Sequence, residues 1–277
     1  MPQVALGYPF LMHGILALSA LHLASLETNR CGEWTAKAFT HQALALPEFR
    51  AAMSTISKDT SHAIFAFSGI VVSYAQATAS IPASLESVGG FSYDILPGWF
   101  YLLRGTGTLL RRTWPWLEEG PFSTLLRRSR FQIDCTCNPD DDHLAALLPL
   151  YSSSTEASNE SETEMQLCLA ALEELRRASC LPHSPCHSLG ERSAAFIWPL
   201  VVPEGYVHLI RTKNPRALII LAHYCVLLEQ GDRSSFMHHQ AEQIFCSVAQ
   251  CLDESWKIWI AWPESRITAI QTARLTS

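Results

Sequence analysis

Apolar residues recur at helical spacing along almost the whole chain, and nowhere does a sustained apolar–polar alternation appear between turn signals. A period of 3.6 residues is the mark of helices that bury one face, and its persistence predicts an all-α fold. The most apolar stretch, Leu6 to Leu26, contains Pro9, His13 and His22 and lacks a basic start and a small-residue cleavage site. It reads as a buried helix over Tyr8–Leu26, apolar on nearly all sides and hence central, and as neither a signal peptide nor a membrane span.

Further helices follow. Trp34–Ile56 is expected to kink or break before Pro47, and Ser61–Thr78 to be capped by Asp59 and Thr60. After a break at 80–90, Pro97–Trp114 should end at Trp114-Pro115-Trp116. Asp142 is a candidate cap for a short helix, His143–Tyr151. The stretch Ser152–Thr163 is polar enough to be a loop or a linker. Glu164–Ala178 is helical, and Ala194–Thr212 should fall in two pieces because of Pro199 and Pro203. Asn214-Pro215 is the clearest helix start, with Gly231 at its end. Phe236–Leu252, Glu254–Ala261 (ended by Trp262-Pro263) and a short tail helix complete the chain. The expected architecture is a single large domain, 1–277, an irregular helical bundle around an internal apolar pocket.

Composition narrows the function. Apolar residues make up 48% of the chain and charged residues 17%, so much of the surface must be neutral, as a partner interface or a large cavity would require. The net charge of -6 argues against direct nucleic-acid binding, which needs clustered cations. The small basic clusters, Arg111-Arg112 and Arg127-Arg128 with Arg130, read as solvated helix ends. Nine cysteines, an odd number partly within apolar helices, suggest buried free thiols in a reduced compartment.

No catalytic or metal site is legible. Cys180, His183, Cys186 and His187 are zinc-competent types at a spacing that fits no structural zinc pattern, and Cys135-x-Cys137 is too tight. His238-His239 has no suitable acidic partner. Nucleophile elbows and phosphate loops are absent, and Arg104-Gly105-Thr106-Gly107 lies within a helical pattern, where its glycines suit close helix packing. No cofactor is implied. His13, His22, His41, His62 and His223 sit among hydrophobes, where a neutral imidazole needs a hydrogen-bond partner. Trp256, Trp259 and Trp262 recur every three residues. Such aromatics either pack a core or wall an apolar pocket. For the second reading the candidate ligand-binding residues are Phe67, Tyr74, Trp99, Leu103, Trp198, Leu221, His223, Tyr224 and Trp259.

Several stretches together resemble the regulatory domain of fungal six-cysteine zinc-cluster transcription factors, in particular the subgroup of the sterol uptake control regulators. They are Phe10–Ala24, His41–Leu44 with Pro47–Arg50, Ala63–Ser68, Trp99–Gly107, Trp116–Pro121, Pro215–Tyr224 and Trp259–Pro263, in the same order. The resemblance implies a nuclear or cytoplasmic module that senses a lipophilic, sterol-like or terpenoid molecule and forms a homodimer or a heterodimer with a related regulator. The zinc cluster that would read DNA is missing from this sequence, which contains no Cys-x-x-Cys. The alternative is an enzyme of fungal secondary metabolism that uses the same pocket for cyclisation or isomerisation of a lipophilic substrate.

Overall fold

The computed structural model describes residues 2–79, 94–123, 138–151, 159–183, 191–231 and 240–275. Among these every regular element is helical, so the fold is all-α as expected. The chain divides into two compact units. The first comprises Met1–Val88, Gly98–Arg130 and Ser235–Met237; the second comprises Gly89–Pro97, Phe131–Ser234 and His238–Ser277. The polar stretch 152–163 therefore lies inside the second unit.

The first unit contains four long helices, α1 (Pro9–Leu26), α2 (Cys31–Ser54), α3 (Lys58–Ala79) and α4 (Gly98–Glu118). α1 packs on α2 and α3, and α4 packs on α3. By length and composition α1 could cross a membrane, yet Phe10, Leu11, Gly14, Ala17, Ala20, Leu21 and Ala24 are buried against its neighbours. It is less central than its composition suggests, because Leu16 and Leu26 are exposed. Gly14 permits the close crossing of α1 and α3: a Cβ there would lie 2.6 Å from the Phe67 ring. Phe67 in turn packs edge-on to Phe10 and at 4.6 Å from Phe49.

The second unit holds α5 (Asn159–Cys180), α6 (Glu191–Val201), α7 (Glu204–Arg211), α8 (Pro215–Gly231), α9 (Gln240–Cys251) and α10 (Ala261–Leu275). Its centre is α8, which packs against all the others and is buried without a gap from Ala217 to Glu229. A helix apolar on every side belongs in the middle. Asn214 caps it as the sequence suggests: its side-chain oxygen accepts from the N–H groups of Arg216 and Ala217.

The prolines depart most from expectation. α2 runs on through Pro47 and α4 through Pro115. Both prolines are exposed, as are Ala43 and Arg111, whose carbonyls they leave unserved, so water can hydrate them. α6 passes through Pro199, and only Pro203 divides the segment, with a bend of 94° between α6 and α7. Trp262-Pro263 begins α10 instead of ending a helix. Proline in a first helical turn gives up no hydrogen bond.

Three smaller corrections have local causes. Ser57, not Asp59 or Thr60, caps α3; its hydroxyl faces the Thr60 N–H, and the Thr60 hydroxyl faces the Ser57 N–H. The short helix starts at Asp141, one residue before the expected cap, after a turn in which Asn138 accepts from the Asp140 N–H. Residues 159–163 begin α5 before the expected start, and Glu162 in the first turn complements the helix dipole. The rest of that polar stretch, 152–158, lies outside the described residues, as do the break at 80–90 and residues 236–239.

Candidate functional site

An apolar cavity of about 260 Å³ opens in the first unit. It is lined by Phe49 and Met53 from the end of α2, Ser68 and Val71 from α3, and Tyr101, Leu102, Gly105, Thr106 and Leu109 from α4. None of these side chains is charged. The cavity is open on one side, where Met53 and Leu102 are exposed. Gly105 has no packing role of the kind expected from its sequence: a Cβ built there meets nothing within 4 Å. Gly105 is exposed, and it borders the cavity without a side chain.

Two hydroxyls of the lining have defined hydrogen bonds. The Ser68 hydroxyl donates to the Phe65 carbonyl at 2.7 Å, and the Thr106 hydroxyl donates to the Leu102 carbonyl at 3.1 Å. Each thus spends its proton on its own helix.

None of the nine residues chosen from the sequence lines this cavity. In the first unit Phe67 is fully buried beside it, touching the lining residue Phe49. Trp99 and Leu103 are buried on α4, whereas Tyr74 is half-buried near Phe39. Burial pushes the Tyr74 phenol up to about 12. The signal that could have found the cavity was the glycine pair in α4: Gly105 is exposed on a helix where alanine or most other residues except proline would be more stable.

In the second unit, four of the chosen residues are core groups. Trp198 stacks on Tyr224 with ring centroids 4.3 Å apart and meets Tyr206 edge-on. Its indole N–H donates to the Ala171 carbonyl, and the Tyr224 hydroxyl donates to the Ala195 carbonyl at 3.0 Å. Leu221 is fully buried. His223 donates its Nδ1–H to the Ile219 carbonyl and stacks on Trp262. Burial lowers its pKa to about 4, against a smaller upward pull from that backbone bond, so the ring is neutral near pH 7. Trp259 is half-exposed in a 3-10 turn, Ile258–Ile260. Three residues per turn is the period on which Trp256, Trp259 and Trp262 recur.

The other histidines and the cysteines divide similarly. His13 and His41 pair through their Nδ1 atoms at 2.9 Å, one donating and one accepting, and so join α1 to α2. His22 is exposed. His62 stacks on Phe122, and burial lowers its pKa, as does Lys58. Of the six cysteines in the described residues, Cys168, Cys180 and Cys225 are buried; Cys31 and Cys251 are half-buried and Cys246 is exposed. Burial pushes the Cys168 thiol up to about 12, which makes it a poor nucleophile. His183 is exposed and the Cys180 thiol donates to the Arg176 carbonyl, whereas Cys135, Cys137, Cys186, His187 and His238-His239 lie outside the described residues. Among the described residues no three His, Cys, Asp or Glu side chains gather as a metal site would require.

The comparisons with known proteins agree with a regulator. Residues 1–116 match the family described as "Fungal specific transcription factor domain". The chain is 26% identical over 240 residues to Sterol uptake control protein 2 of Saccharomyces cerevisiae, covering 82% of this chain and 24% of that protein. It is 24% identical over 281 residues to a Zn(2)-C6 fungal-type transcription factor of Gibberella zeae, covering 95% of this chain and 54% of that protein. To Sterol uptake control protein 2 of Candida albicans it is 34% identical over 125 residues, 44% of this chain and 16% of that protein. No solved structure matches the chain. The chain is a regulator-type domain related to fungal zinc-cluster transcription factors, and it spans about a quarter to about half the length of its first two relatives.

Proposed function

We propose that this chain is a ligand-sensing regulatory module whose effector, a lipophilic molecule of the sterol or terpenoid kind, binds in the α2–α3–α4 cavity. One observation carries the reading. Every residue that lines the cavity, from Phe49 to Leu109, lies within the 1–116 segment that matches the transcription factor domain. An apolar occupant would bridge three helices, and differential binding to two packings of those helices would shift their populations. The module would act in the nucleus through protein partners, as a homodimer or with a related regulator. With a net charge of -6 it would not itself read DNA.

The test is native mass spectrometry of the chain purified from a fungal host, followed by extraction of bound small molecules and a thermal-shift screen against a lipid panel. Recovery of a lipophilic molecule, or a saturable rise in melting temperature with one, supports the reading. Recovery of nothing, together with no shift across the panel, overturns it.

A further inference from the structure

We infer that the last two turns of α2 are a lid over the cavity, hinged at Pro47 and latched by Phe49. The inference rests on the proposed sensing role and names the element that admits an occupant to the same site and responds to it.

Burial along α2 is lopsided. Its buried residues, Thr35, Ala38, Gln42 and Ala45, all precede Pro47. The same part is tied to α1 by the bond between His13 and His41. Beyond Pro47 only Phe49 and Ala52 are half-buried, and the rest of the helix is exposed. The two charged groups there, Glu48 and Arg50, make no ion pair among the described residues. α4 supplies the contrast. It too runs through a proline, Pro115, yet Leu117 just beyond is fully buried and anchors the end of that helix.

Pro47 weakens the backbone where the anchoring stops. A proline inside a helix removes the bond to the carbonyl four residues back, here that of Ala43, and its ring crowds that carbonyl. Helices bend at such positions. What holds the far part down is one ring: the centroid of Phe49 lies 4.6 Å from that of Phe67 on α3 and 5.9 Å from that of Phe10 on α1. A segment with so little buried apolar surface opens locally at low free energy.

The same part covers the cavity. Phe49 and Met53 are its lining from α2, and the exposed Met53 stands at the open side. Release of Phe49 swings both residues away and widens the mouth for a bulky apolar guest, while the lining from α3 and α4 stays in place. An occupant gives Phe49 and Met53 apolar surface to cover, so it favours the closed lid.

Amide hydrogen exchange, resolved by residue on the full chain, tests this. Residues 48–54 should exchange as one unit, about tenfold or more faster than residues 35–46. A helix end that merely frays gives a gradient instead. Pro47→Ala restores an N–H for the Ala43 carbonyl and should slow exchange at 48–54 by about tenfold or more, given the cost of proline inside a helix. Phe49→Ala removes the latch and should speed it; if that variant fails to fold, Pro47→Ala decides. Dehydroergosterol, a fluorescent sterol, and farnesol serve as probes. Either one, once bound, should slow exchange at 48–54, and Pro47→Ala, which leaves the lining intact, should slow both association and dissociation of the sterol in stopped-flow fluorescence. A gradient along 48–54, or exchange there indifferent to Pro47→Ala, overturns the lid and leaves the sensing role in place. So does a probe that binds saturably without changing exchange at 48–54. Failure of both probes, with no ligand recovered from the host, overturns the sensing role and the lid's purpose with it.

Discussion

The hydroxyl of Tyr224 donates to the carbonyl of Ala195, the carbonyl that Pro199 cannot reach because proline has no N–H. In an unbroken helix, residue 199 would serve the carbonyl of residue 195. Ala195 is buried, so water cannot take that role, and a side chain from the central helix α8 does so. This explains how α6 continues through Pro199 when the sequence alone suggests a break.

Tyr224→Phe should therefore destabilise the chain by about 1–3 kcal/mol, the range for an unsatisfied buried carbonyl. Pro199→Ala supplies a backbone N–H to the same acceptor. The double variant should recover most of the loss, and a cycle of urea denaturation on the four proteins measures the coupling. Additive losses would show that the two groups do not share the acceptor.

His223 gives a pH dependence of defined sign. The unfolded chain takes up a proton on this ring near the ordinary value of 6.5, the folded chain only near 4. Between those values the unfolded state holds more protons, so stability falls as pH falls through this window. The full effect is about 3 kcal/mol, at 1.36 kcal/mol per unit of pKa difference, reached near the lower end. Denaturant midpoints at several pH values should show this slope in the wild-type chain and a shallower one in His223→Phe. Equal slopes would place the titration elsewhere.

How far could these features be read from the sequence? Helices follow from period alone, and Asn214-Pro215 fixed the start of α8 because cap chemistry is local. The fate of each proline was not legible, since it depends on what lies opposite. Pro47 and Pro115 face water, whereas Pro199 has Tyr224. The cavity was missed for a related reason. Aromatic residues were chosen as its wall, but large aromatics such as Trp99 and Trp198 fill space and sit in cores. The opening is bordered instead by a small residue, Gly105, and a glycine that packs closely cannot be told in sequence from one that leaves room.

Glu229 and Arg274 form an ion pair at 2.6 Å, with the glutamate side chain 4% exposed and the arginine 30%. Arg274 also donates to the Glu229 backbone carbonyl, so one side chain ties α10 to the end of α8. Arg274→Met removes the cation from a buried carboxylate and should lower stability by about 3 kcal/mol or more. Adding Glu229→Gln removes the charge left behind and should restore part of that loss. Chemical denaturation of the two variants checks this; a double variant worse than the single would mean that the carboxylate is stabilised by other groups.

Two helical glycines should respond in opposite directions to one methyl group. At Gly14 a Cβ would lie 2.6 Å from Cε2 of Phe67 and 3.2 Å from Ile70, and Phe67 is a fully buried ring held between Phe10 and Phe49. Gly14→Ala should destabilise the chain by about 1–3 kcal/mol, as overpacking does. At Gly105 a Cβ meets nothing, so Gly105→Ala should gain about 0.5–1 kcal/mol by restricting the unfolded chain and improving helix propensity. Thermal melts of both variants check the signs. The gain at Gly105 has a functional consequence, because the same methyl group begins to fill the cavity: the more stable variant should bind an aliphatic probe more weakly. A Gly105→Ala chain that gains stability and keeps full affinity would show that the cavity does not use the space at that position.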